Sequence, residues 1–235
     1  MSKSDTPYFW DVANPKAYNN RMGKYKTRYV LDFISKYTND RKRILDVGGG
    51  SGRFAIPLYE KGADVVLLDE SDKAAAILSK RCPGIKCVVE SFDQAVFDQE
   101  ASFDLILMIE VLFYIRDWPR TLAKVRTLLK DNGVFIFTAT NRDSWRFLFS
   151  RRKEDYTVYS LDKYRELLNE AGFDIGRIEG FLWIPCKVDS DSVAVDVFAG
   201  LESMLGLNRF VSQSPWLLFA VQKDMLAPHL SLPLA

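Results

Sequence analysis

Tyr25, Tyr29, Phe33 and Tyr37 recur every four residues, with Val30 and Ile34 beside them. That spacing lays one apolar face along a helix over 24–37. The apolar runs that follow are short and strand-like. Residues 43–47 predict a buried strand ending at Gly48, 64–68 a second, 85–89 a third and 134–139 a fifth. The fourth, 103–109, is nearly all apolar, as a central parallel strand is. Helices are expected at 52–61, 71–80 and 119–130 between these strands. The last should stop at Asp131-Asn132-Gly133, a helix C-terminal signal. Alternating strands and helices imply a parallel sheet covered on both faces.

After residue 140 the alternation slackens. A helix over 161–171 ends at Gly172, and 173–183 and 216–222 read as further strands. Between them, 184–214 is too long for a plain connection, which marks it as functional. It contains an amphipathic helix whose Val193, Val197, Phe198, Leu201, Met204 and Leu205 share one face. Residues 1–20 are aromatic and polar (Tyr8, Phe9, Trp10, Tyr18) without clear periodicity. Asn141–Lys153 carries five cations, Arg142, Arg146, Arg151, Arg152 and Lys153, against Asp143, among Trp145, Phe147 and Phe149.

Composition narrows the chemistry. The 235 residues are 48% hydrophobic and 27% charged, ample apolar side chain for a core. A net charge of +1 disfavours a nucleic-acid partner. No stretch approaches the length of a transmembrane helix, and Met1–Pro7 lacks the apolar core of a signal peptide, so a cytoplasmic protein is expected. The three cysteines, Cys82, Cys87 and Cys186, read as reduced thiols. His229 is the one histidine and lies in a proline-flanked tail, so neither a zinc site nor a histidine-based hydrolase is expected.

The most informative run is Ile44-Leu45-Asp46-Val47-Gly48-Gly49-Gly50-Ser51-Gly52. A strand feeds a glycine turn that opens a helix. Glycines let backbone approach a ligand, and the helix start offers free N–H groups. Asp69, nineteen residues after Gly50, ends the second strand, where an acid can accept both hydroxyls of a ribose. A dinucleotide fingerprint needs a glycine at position 53; Arg53 stands there and argues against a nicotinamide oxidoreductase.

Asp46 before the glycines, Asp69, Phe103-Asp104-Leu105-Ile106, Leu128-Leu129-Lys130-Asp131-Asn132-Gly133 and Leu167-Leu168-Asn169-Glu170-Ala171-Gly172-Phe173 form an ordered set spanning roughly 43–183. It resembles the motifs of the class I S-adenosylmethionine-dependent methyltransferases. Thr138-Ala139-Thr140-Asn141-Arg142 makes it similar to small-molecule methyltransferases of the ubiquinone-biosynthesis type. The resemblance implies a Rossmann-like α/β three-layer sandwich, with a seven-stranded mixed sheet whose last two strands form an antiparallel pair. It implies S-adenosyl-L-methionine as cofactor, S-adenosyl-L-homocysteine as product, and no metal. One methyltransferase domain over 1–235 is expected, with 1–40 as an N-terminal cap and 41–140 as the cofactor-binding half. The insertions 141–160 and 184–214 would be on the acceptor side.

The residues then take expected roles. Gly48, Gly49 and Gly50 pass close to the cofactor's tail and ribose. Asp46 orders the loop and reaches toward the amino group. Asp69 holds the ribose, with Glu70 beside it. Similar enzymes have an acid followed by alanine after the third strand; Ser91 and Phe92 stand there instead. Phe92 is expected to stack on adenine or offer its N–H, or else to be plain core. Tyr18 or Arg21 closes over the carboxylate tail, or packs at the sheet edge. Ile109 and Glu110 end the fourth strand beside the transfer site.

The expected reaction is in-line methyl transfer to an O or N atom of a small-molecule acceptor. Many relatives have a histidine just after the fourth strand, where this chain reads Val111-Leu112-Phe113-Tyr114. Glu110 and Tyr114 are therefore the candidate catalytic positioning groups. The basic segment 141–153 is open to three readings: a lid for an anionic acceptor, a peripheral membrane contact, or a solvated loop. A monomer or homodimer is expected. The alternatives are a non-catalytic binder of the cofactor or its product, and methylation of a protein or tRNA.

Overall fold

The structure, a computed structural model, describes residues 19–38, 42–97, 100–148, 157–187 and 189–225. Seven strands form one sheet: β1 (Arg43–Val47), β2 (Asp64–Asp69), β3 (Lys86–Val89), β4 (Phe103–Met108), β5 (Leu129–Thr140), β6 (Phe173–Phe181) and β7 (Trp216–Lys223). Their order across the sheet is β3-β2-β1-β4-β5-β7-β6. β1 to β5 run parallel, while β7 is antiparallel to both β5 and β6. This is the expected Rossmann-like mixed sheet with an antiparallel last pair.

The near-continuous apolar strands have a physical reason: each strand feeds two cores. Ile44, Leu105, Leu107 and Ile136 point to one face, and Leu45, Ile106, Met108, Phe135 and Phe137 to the other. The first face is covered by α1 (Arg21–Ser35), α2 (Ala55–Glu60) and α3 (Asp72–Arg81) through Phe33, Leu58 and Leu78. The second is covered by α4 (Trp118–Leu128) and α6 (Leu161–Glu170) through Trp118, Leu122, Tyr164 and Leu168. A one-turn helix, α5 (Trp145–Leu148), follows β5, and α7 (Ala194–Met204) lies between β6 and β7.

One expectation is corrected. The helix before β5 does not run on to Asp131-Asn132-Gly133. α4 stops at Leu128, and β5 starts at Leu129, which pairs with Phe103 ahead of a register shift. Burial of Leu129 against the sheet, with no exposure, draws the chain into extended form before the glycine is reached. The amphipathic helix expected within 184–214 is α7. Its apolar row faces outward, with Val193, Val197, Phe198, Leu201, Met204 and Leu205 all exposed. The side turned inward carries Val195, Ala199 and Glu202.

Candidate functional site

The C-terminal ends of β1, β2 and β4 meet where the strand order reverses, the place where open α/β sheets bind ligands. The turn after β1 is fastened to β2, since the Gly48 N–H donates to the Leu68 carbonyl at 2.7 Å. Gly48 has φ +67°, and a side chain there would drive its Cβ to 2.5 Å from Val111 Cγ2. Gly49 is constrained differently: a Cβ would fall 2.8 Å from Asp46 Oδ2 and 2.7 Å from Leu67. Gly48 and Gly49 thus let the turn pack closely against Val111, Leu67 and a buried carboxylate.

Asp46 is 1% exposed, and its Oδ2 has no hydrogen-bond partner. Burial, reinforced by the charge of Asp69, pushes its pKa up to about 7. Asp69 accepts from the Gly50 N–H at 2.8 Å and from the Ser71 N–H at 2.9 Å. Ser71 in turn caps α3 by accepting from the Ala74 N–H. The acid is thereby set rigidly beside the glycine turn, while Glu70 next to it is exposed.

At the end of β4, Ile109 is buried in the core and Glu110 adopts φ +62°. A bulky residue in the left-handed region costs about 1–2 kcal/mol, and such outliers gather at functional sites. Contacts from β5, α1 and the glycine turn hold it. The Glu110 N–H donates to Thr138 Oγ1 at 2.7 Å. Its carboxylate meets Lys26 Nζ at 2.5 Å and an Arg53 guanidinium nitrogen at 3.3 Å. Lys26 comes from α1 and also lies 5.2 Å from the centre of the Trp216 ring on β7. Burial pulls the Lys26 pKa down, and Glu110 opposes that pull. This cluster ties the N-terminal helix, the glycine turn and three strand ends together. Tyr114 stands nearby in a single 3-10 turn, half-buried, its ring 4.4 Å from that of Phe113.

The remaining expected residues fall in different places. Ser91 is half-buried after β3. The Phe92 ring is 6% exposed and packs in the core with Ala95, and its N–H has no acceptor among the described residues. Arg21 pairs with Asp196 of α7, and its N–H donates to Asp191. Arg146 donates to the carbonyls of Ile184 and Cys186, stitching the segment after β5 to the one after β6. Arg142 is exposed. Tyr18, Phe149, Arg151, Arg152, Lys153 and His229 lie outside the described residues.

Sequence reasoning missed Lys26, Thr138 and Trp216 as site residues, and used Arg53 only to exclude a dinucleotide. A signal for Lys26 was present: it interrupts the apolar row Met22–Lys26–Val30, whose other members are buried. A lysine on the inner face of a helix needs an acid, and Glu110 supplies it.

Among the described residues no helix is long and apolar enough to cross a membrane. A family model described as a methyltransferase domain matches residues 18–177. The chain is 21% identical over 217 residues to a ubiquinone biosynthesis O-methyltransferase of Rickettsia prowazekii, covering 84% of this chain and 86% of that one. It resembles the structure of an S-adenosylmethionine-dependent methyltransferase from Mesorhizobium loti, with a TM-score of 0.63, 21% identity and coverage of 83% of this chain and 96% of that one. It also resembles a 1,6-didemethyltoxoflavin-N1-methyltransferase of Burkholderia thailandensis, solved with its acceptor and S-adenosylhomocysteine. There the TM-score is 0.59 at 18% identity, covering 84% of this chain and 77% of that one.

Proposed function

The chain belongs to the methyltransferase domain family, as a class I S-adenosylmethionine-dependent enzyme, and from that premise we propose that it methylates an O or N atom of a small-molecule acceptor. The observation that carries the cofactor half of this reading is the Gly50–Asp69 contact, 2.8 Å across the mouth of the sheet. It sets an acid beside a turn built of glycines, whose backbone is not shielded by side chains of its own.

The residues present fit S-adenosylmethionine. The buried, unpartnered Asp46 oxygen is a feature a polar ligand at the glycine turn would complete. Gly48, Gly49, Gly50 and Ile109 would hold its amino-acid tail, Asp69 and Glu70 its ribose, and Ser91 and Phe92 its adenine. When bound, the cofactor supplies a methyl group activated on a sulfonium. Tyr18 is proposed to close over the tail. Arg21, already paired with Asp196, is proposed to act by fixing the start of α1 over the site.

The protein's own task is alignment, since holding reactants in line contributes about 7–11 kcal/mol in favourable cases. Glu110 and Tyr114 are proposed as the groups that position the acceptor. Glu110 has both oxygens engaged by cations, which suits it to positioning more than to taking a proton. The segments 141–160 and 184–214 are proposed to form the acceptor side of a domain spanning 1–235, with Arg146 joining them. The names of the Rickettsia and Burkholderia proteins support a small-molecule acceptor; the first is an O-methyltransferase and the second an N1-methyltransferase.

Calorimetric titration with S-adenosylmethionine and S-adenosylhomocysteine tests the site. Wild type should bind both, and Asp69→Ala should lose about 1.5–3 kcal/mol of affinity, the range for a hydrogen bond to a charged group. A melting curve on the variant separates that loss from unfolding, because Asp69 also pins Gly50 and Ser71. Binding of neither compound to wild type would overturn the proposal.

A further inference from the structure

The loop after β3 is held in an unusual way. Lys124 reaches out of α4 and donates to three main-chain carbonyls at once: Phe92 at 2.5 Å, Ala95 at 2.7 Å and Asp93 at 3.2 Å. Its Nζ also lies 5.0 Å from the centre of the Phe92 ring. The same turn is closed internally, since the Gln94 and Ala95 N–H groups donate to the Ser91 carbonyl. Each of the Lys124 contacts is a charge-assisted hydrogen bond, while a lysine ammonium is ordinarily left in solvent. Three of them converging on one Nζ fix the turn as a unit.

On the cofactor reading above, this is the turn proposed to hold the adenine. It starts beside the ribose acid, because the Glu90 N–H donates to the Asp69 carbonyl. Ser91 lacks the carboxylate that would mark a 6-amino group by charge. The Phe92 ring is in the core, while the Phe92 N–H is left without an acceptor among the described residues. What the turn presents is therefore a backbone donor, and a backbone donor discriminates only if its position is fixed. A lone N–H suits the unprotonated N1 of a 6-aminopurine. It is mismatched to hypoxanthine, whose N1 carries a hydrogen, because two donors then face each other.

We propose that Lys124 is a positioning residue for recognition of a 6-aminopurine, acting through the three carbonyls that fix the Phe92 N–H. The proposal rests on the cofactor reading above. Titration of wild type and Lys124→Met with S-adenosylhomocysteine and with S-inosylhomocysteine tests it. Wild type should prefer the adenine compound by roughly tenfold or more, as expected for one mismatched buried donor. Lys124→Met should lower that preference to about twofold, chiefly by weakening the adenine compound, at a scale of one hydrogen-bond contribution. Lys124→Arg, which keeps the charge and the donors, should restore most of it.

A variant that folds and retains the full preference would overturn the proposal. So would equal weakening toward both compounds, which marks a general loss of the site. Lys124→Gln replaces the methionine variant if that chain does not melt cooperatively. If neither folds, Lys124 is a folding determinant and the proposal fails. Wild type binding neither compound would instead overturn the cofactor reading itself, and wild type binding both equally would show that the turn does not read the purine.

Discussion

The end of the sheet that carries the glycine turn and the helix inserted between β6 and β7 obey opposite rules. Around β1, β2 and β4, apolar positions go inward on both faces and the polar residues at the strand ends converge: Asp46, Asp69 and Glu110 all lie there. On α7 the apolar row points away from the protein, with Met204 at 74% and Val197 at 58% exposure, while Glu202 is only 4% exposed. Apolar periodicity fixes which face is buried only where a covering layer exists on that side. α7 has α1 on one side, where only Val195 and Ala199 join the core, and polar contacts accompany them. Arg21 pairs with Asp196 at its first turn. Glu202 faces the Tyr25 hydroxyl and the backbone at Leu182 and Trp183, where Leu182 holds a φ of +65°.

The largest expected effect lies in the sheet. Ile106, with no exposure and flanked by β1 and β5, should cost about 2–5 kcal/mol on substitution by alanine, read by urea unfolding. A loss under 1 kcal/mol would mean that the core facing α4 and α6 is looser than its packing indicates.

Next is Gly48→Ala. The left-handed conformation costs alanine about 1–2 kcal/mol, and the close approach to Val111 adds to it. Adding Val111→Ala should recover the steric part, about 1 kcal/mol, and leave the conformational part, a split that a double-mutant cycle measures. Full recovery would mean that the backbone strain at Gly48 is negligible.

Glu202 sharpens the comparison through pH. Burial pushes its pKa from 4.5 up to about 7. Below 4.5 the carboxyl is protonated whether the chain is folded or unfolded and has no effect. Between about 4.5 and about 7 only the folded state keeps the proton, so stability falls as pH rises. Above about 7 the whole penalty is present. Glu202→Gln should remove a decline on the order of 3 kcal/mol across that window, measured as unfolding free energy against pH. Asp46 is raised to about 7 in the same direction and should keep a second falling component in the variant. An unchanged profile would show that Glu202 is ionised in the folded protein.

The same contrast explains what was legible in the sequence. The strands, their order of appearance and the glycine turn could be read because each is specified within a few residues of chain. The start of β5 could not, because burial of Leu129 outweighs the helix-stop signal at Asp131-Asn132-Gly133. Asp69 was recognisable from its distance to Gly50. The Lys26–Glu110–Arg53 cluster was not, since Lys26 and Glu110 are 84 residues apart and meet only when α1 crosses the end of β4. Lys124 was hidden for a related reason: on a helical wheel it is one more charged residue, and only the path of the turn at 91–95 gives it three carbonyls.

The smallest expected effect is on the outer face of α7. If that face meets only water in the isolated chain, Val197→Ser and Met204→Ser should each change stability by less than about 0.5 kcal/mol, as surface substitutions do. A buried valine or methionine would instead lose about 1.5–3 kcal/mol of transfer free energy. Measured by urea unfolding at several protein concentrations, a small and concentration-independent change leaves the contrast between the two regions intact. A loss of the larger size would show that the apolar row is covered after all, and that α7 follows the same rule as the sheet. Dependence of that loss on concentration would identify the cover as another copy of the chain, because only association makes unfolding depend on protomer concentration.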